Sequence, residues 1–119
     1  MDQDGAMVTE HDVRRSALAL PATTEKPSYG TPGFRVRDKL FARLRDPETL
    51  VVFVADVSEK QALIESAPDR YFTTPHYDGY ASVLVRLPEI DEDELADILL
   101  ESWRVRAPTR LVTDFDAQP

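Results

Sequence analysis

A chain of 119 residues and 13.4 kDa with 42% apolar residues is sized for one domain with a real core. Fourteen basic against 22 acidic residues give a net charge of −8 and a pI near 4.7, which excludes a protein that coats nucleic acid over its whole surface but not one with a local basic patch. The absence of cysteine excludes disulfides, thiolate zinc sites and cysteine nucleophiles, no apolar run approaches the ~20 residues of a membrane span, and the acidic start Met1-Asp2-Gln3-Asp4 lacks the layout of a signal peptide.

The expectation is a soluble, cytoplasmic single domain over residues 1–119, with loose tails at 1–8 and 113–119. In chain order, Thr9 followed by Asp12 opens a helix over Glu10 to Ala19, with Val13, Ala17 and Leu20 at helical spacing and Pro21 as its stop. Pro27, Gly30, Pro32 and Gly33 then allow only a short strand near Lys26 to Tyr29. Phe34–Arg37 and Leu40–Arg45 alternate apolar and charged residues around a turn at Asp38-Lys39. After the turn Asp46-Pro47-Glu48, Thr49–Ala55 is apolar on both faces, which suits a central strand.

Ser58-x-x-Gln61 predicts the start of a second helix that ends before Pro68. Tyr71–Tyr80 is aromatic and rich in turn residues, and Ala81–Leu87 reads as a strand. Asp91 and Glu94 cap a third helix through Leu95, Ile98, Leu99 and Trp103, with Arg104 and Arg106 at the end that favours cations. The pattern predicts an α+β domain: an antiparallel sheet of about five strands with helices packed on one face, in the order α-β(3)-α-β(2)-α, with one further short strand near Tyr29 left open.

Three groups of residues carry candidate chemistry. Arg35, Arg37, Lys39, Arg43 and Arg45 lie within eleven residues, opposed only by Asp38. A three-residue loop, Asp38 to Leu40, would pair Arg35 with Arg43 and put the four arginines and Phe41 on one face, ready for phosphates and stacking. A two-residue loop would split them between faces. The bland alternative is a solvated sheet face or pairing with the domain's own carboxylates. From Glu89 to Glu101 run seven carboxylates without a base, which helix capping explains. Thr73–Tyr80 gathers His76, Tyr77, Asp78 and Tyr80 and could line a pocket. His76 and Asp78 are too few for a metal site, and no catalytic constellation or cofactor motif is present, so neither metal, cofactor nor enzymatic activity is expected.

The segment Ala19-Leu20-Pro21-Ala22-Thr23-Thr24-Glu25, followed by Phe34-Arg35-Val36-Arg37-Asp38-Lys39-Leu40-Phe41-Ala42, resembles the MmcQ/YjbR family. So do Tyr71-Phe72-x-x-Pro75-x-Tyr77 and the closing Glu94-Leu95 to Ser102-Trp103. The resemblance spans Thr9 to Leu111. Arg37-Asp38 stands where that family usually has Gly-Gly, and Ala81-Ser82 where many members carry a basic residue and a tryptophan. The resemblance implies a fold similar to type III secretion chaperones and a DNA-binding role. Three readings stay open: DNA binding through the Arg35–Arg45 hairpin, a protein-interaction or homodimer module, and a small-ligand binder or enzyme using the 73–80 loop. A pocket walled by His76, Tyr77 and Tyr80 would favour the last; an open basic face would favour the first. No membrane partner is expected.

Overall fold

The computed structural model of this chain describes residues 8–118. Its elements are α1 (Glu10–Leu18), β1 (Thr23–Ser28), β2 (Thr31–Val36), β3 (Lys39–Asp46), β4 (Thr49–Phe53), α2 (Val57–Ser66), β5 (Tyr71–Phe72), β6 (Ser82–Arg86), α3 (Glu92–Arg106) and α4 (Thr109–Asp116). All strand pairs are antiparallel, and the six form one sheet in the order β1-β2-β3-β4-β6-β5. This is the expected α+β architecture with one strand more than five. The extra strand is β1, which carries Pro27 because it is an edge strand, where a missing N–H breaks no inner ladder.

Alternation sorts the sheet into two faces. Phe34, Val36, Ala42, Leu44, Leu50, Val52, Val83 and Val85 face the core beneath α1 and α3 and are essentially inaccessible. Trp103 closes this core from α3, and its indole N–H donates to Pro21 O at 3.0 Å. That bond fastens the turn between α1 and β1 and satisfies the one polar atom of a buried tryptophan.

The β2–β3 hairpin departs from the expected register. Its loop has two residues, Arg37 and Asp38, both at positive φ (48° and 70°), the geometry of a tight turn whose twist matches the strands. Both positions are ones that glycine occupies without strain. Continued without interruption, this loop would turn Ala42 and Leu44 away from the core and Arg43 into it. A β-bulge at Phe41 prevents that: Arg35 pairs with Leu40, and Phe34 pairs with Ala42. The extra residue restores the segregation of apolar and charged side chains. It also changes the partners, so Arg43 lies opposite Gly33 and not opposite Arg35.

Capping follows the sequence at two helices and not at a third. Thr9 and Asp12 form the full capping box of α1, and the Asp91 side chain accepts from Glu94 N at 2.8 Å at the start of α3. Helix α2 is capped two residues before the Ser58 signal. Asp56 is its N-cap, accepting from Glu59 N at 2.9 Å. The expectation of a loose end from Thr113 is corrected. Residues 109–116 form α4, which folds back so that Phe115 meets the Trp103 ring at 5.2 Å and Asp116 pairs with Arg104. Of the expected N-terminal tail, residues 1–7 lie outside the described residues, and Val8 is buried in the core.

Candidate nucleic-acid interface and cleft

The second face of the sheet carries a different chemistry. One row of paired residues crosses all six strands: Lys26, Gly33, Arg43, Val51, Leu84 and Phe72. At ~4.8 Å per strand the row is about 24 Å long. Alternation places Arg35 and Arg86 on the same face as this row. The Arg86 guanidinium lies 3.9 Å from the Phe72 ring centre. None of Lys26, Arg35, Arg43 and Arg86 enters an ion pair among the described residues, whereas the paired arginines 14, 15, 70 and 104 belong to the helices or to the segment before β5. The acidic chain therefore segregates its charge: most carboxylates sit on or beside helices, and Lys26, Arg35, Arg43 and Arg86 share one face of the sheet.

At the centre of this face is an open cleft of about 710 Å³ between the strands and the loop that follows β5. Its floor is Leu40, Val51 and Phe53, one wall is His76, Tyr77 and Tyr80, and Arg43 and Arg106 also line it. Among the described residues no carboxylate lines it. Arg43 is held in place by three contacts: it donates to Thr31 Oγ1 at 3.2 Å and to the Tyr77 hydroxyl at 2.9 Å, and it stacks 5.5 Å from the centre of Tyr29. Arg106 donates its Nε–H to Leu40 O at 3.0 Å and lies over Phe53 at 4.5 Å. Both guanidiniums are thus pre-oriented, Arg43 by side-chain hydroxyls and an aromatic ring and Arg106 by a backbone carbonyl and an aromatic ring, with N–H groups to spare for an anion.

The wall is fixed from behind by Lys60 of α2. This lysine is 3% exposed, and its ammonium donates to the carbonyls of Tyr77, at 2.5 Å, and Tyr80, at 3.1 Å. Burial pulls its pKa below the usual lysine value, opposed by the charge of Asp78. Gly79 turns the loop at φ +82°, and Asp78 accepts from the Thr73 hydroxyl at 3.0 Å. Tyr29 and Tyr80 stand out as exposed rings, at 93% and 66%.

Ser102 braces the strand that carries the floor residue Phe53. Beyond the Ala42–Val52 pair, β3 and β4 separate and the buried Ser102 hydroxyl sits between them. It accepts from Phe53 N at 2.8 Å and donates to Phe41 O. The bulge thereby leaves no orphaned backbone group at this point.

The residues singled out in the sequence separate as follows. Phe41 is fully buried, because the bulge turns it into the core, and it is no exposed stacking platform. Arg35 is half-buried, donates to Asp38 O at 3.3 Å and has its Nε buried without a partner, so it is held at the hairpin end. Arg37, Lys39 and Arg45 are exposed, with Arg45 at the far end of β3 beside a second bulge between Leu44 and Asp46. The single co-facing ribbon of four arginines and Phe41 is therefore replaced by a wider face to which Arg35 and Arg43 contribute. His76, Tyr77 and Tyr80 come together on the cleft wall; Asp78 supports that wall without lining the cleft. The sequence reading missed Tyr29, Lys60 and Arg106. Arg106 gave only a helix-end signal, and Lys60 carried no local signal at all.

Comparison with known proteins places the chain. The family model described as YjbR matches residues 18–105. An uncharacterized protein of Mycobacterium tuberculosis, Rv2570, is 39% identical over an alignment covering 92% of this chain and 96% of that protein. The Mycobacterium bovis protein Mb2600, also uncharacterized, matches to the same extent. The crystal structure of Deinococcus radiodurans protein DR2400, which carries the family-model domain DUF419, superposes with a TM-score of 0.67 at 21% identity, over 85% of this chain and 79% of that one. That likeness is one of fold. Sheet, helices and matched span agree: the chain belongs to the YjbR family.

Proposed function

We propose that this domain binds single-stranded nucleic acid across the second face of its sheet, as a binding module and not as an enzyme. The observation that carries this reading is the second sheet face itself, on which Lys26, Arg35, Arg43 and Arg86 enter no ion pair among the described residues and beside which the rings of Tyr29 and Tyr80 stand exposed. Phosphates are met by guanidinium and ammonium groups, while bases stack on rings that any base can use. Tyr29 and Tyr80 are free to stack only on bases that are themselves unpaired, which favours a single strand over a duplex. The carboxylates of α3 repel the backbone from the opposite side and so orient the approach.

The test is fluorescence anisotropy with labelled oligothymidylate and with a duplex, at about 50 and about 200 mM salt. The expected result is single-strand binding that weakens steeply with salt and is lost when Lys26, Arg43 and Arg86 are changed together to glutamine. Single-strand binding that survives this triple change, or none at the lower salt, overturns the proposal.

A further inference from the structure

We infer that the cleft beneath the 73–80 loop is a subsite for one nucleotide unit, an aromatic base bearing a phosphate. This rests on the nucleic-acid reading for its ligand class and goes beyond it by locating a discrete, saturable site. The cavity of about 710 Å³ is of the size that takes small ligands, and its floor of Leu40, Val51 and Phe53 is apolar. A flat ring fits between this floor and the Tyr77–Tyr80 wall. An anionic group attached to the ring reaches Arg43 and Arg106, which line the same cleft and keep unused N–H groups.

The site is built in advance. Lys60 holds the wall through two backbone carbonyls, and the Tyr77 hydroxyl is fixed by Arg43, so little ordering is left for the ligand to impose. The charge balance is also open: two guanidiniums line the cleft, a buried ammonium stands behind it, and among the described residues no carboxylate lines it. An arriving anion meets attraction without a competing internal partner. The nucleotide could be supplied free or as one unit of a strand, and both share this chemistry.

The experiment is a set of ¹H–¹⁵N NMR titrations of the full chain with thymidine 5′-monophosphate, thymidine and inorganic phosphate, alongside anisotropy with oligothymidylate. The expected result is saturable shifts at the amides of Tyr77, Asp78, Tyr80 and Ser82 with the monophosphate, and at least ~10-fold weaker binding of the nucleoside and of phosphate. Arg43→Gln should weaken the monophosphate ~10-fold. Tyr80→Ala, at an exposed ring that leaves the fold intact, should do so as well. Phosphate binding as well as the nucleotide, or shifts located elsewhere, overturns the subsite. If the oligonucleotide binds while the monophosphate leaves these amides unmoved, the subsite is wrong and the proposed function stands. If the monophosphate binds there and the oligonucleotide does not, the subsite stands for a free nucleotide and the strand-binding proposal falls.

Discussion

Replacing Ser102 by alanine probes the joint between fold and cleft. In the native chain this hydroxyl is the partner of two backbone groups that the β3–β4 ladder does not reach, the Phe53 N–H and the Phe41 carbonyl. The alanine variant removes one oxygen and leaves both groups without a partner. The Phe41 carbonyl lies in a fully buried environment and should cost about 1–3 kcal/mol unpaired. The Phe53 N–H is only partly buried and adds about 1 kcal/mol. The sum is about 2–4 kcal/mol, which for a domain of this size lowers Tm by roughly 8–16 °C. Urea unfolding should show a lower midpoint at an unchanged m-value. Amide exchange at Phe53 should accelerate more than at Val52. Ser102→Cys, similar in shape and a weaker donor, should fall between native and alanine. A loss below about 1 kcal/mol for Ser102→Ala would refute the reasoning, since it would mean that the splayed strands close or solvate without the hydroxyl.

The tight turn offers a gain: Arg37→Asn with Asp38→Gly should stabilise by about 0.5–1 kcal/mol in urea unfolding, because both residues sit at positive φ, and a destabilised variant would contradict the assigned turn. Phe115→Ala should cost about 1–2 kcal/mol by the same measurement, since the ring packs on Trp103 from α4; no loss would show that α4 does not dock. Acid should weaken the fold through Asp12, held below the usual carboxylate range by the Thr9 N–H at the cap, and Glu25, held low by Arg14. Carboxylates with lowered folded pKa values stabilise above their unfolded values near 4, and that stability is lost as pH falls through the folded values. The urea midpoint should therefore hold from about pH 7 to 5 and fall toward about pH 3, and a midpoint unchanged across that range would contradict these contacts.

The fold was legible where local rules and the global pattern agree. Thr9–Asp12 and Asp91–Glu94 fix two helix starts by side-chain geometry alone, and the alternation in Phe34–Val36 and Ala42–Leu44 names the core face correctly. The hairpin register was not legible, because the same alternation is satisfied by a three-residue loop or by a two-residue loop with a bulge at Phe41. Turn strain and packing decide between them, and neither is written in the periodicity. Helix α4 has no side-chain cap and only eight residues, so it depends on Trp103 for a surface to fold against. The cleft was half visible. His76, Tyr77 and Tyr80 are adjacent in sequence, but Tyr29, Arg106 and Lys60 reach the same place from three other elements, a tertiary coincidence that spacing cannot reveal.

The most direct test of the central claim is to map the bound surface. In ¹H–¹⁵N spectra of the chain titrated with a short oligothymidylate, the shifts should concentrate on Lys26, Tyr29, Arg43, Arg86 and the 77–80 turn, leaving the outer surfaces of α1 and α3 unmoved. Shifts centred on those helices, or confined to Arg37 and Lys39 at the hairpin tip, would contradict the assignment of the second sheet face as the binding surface.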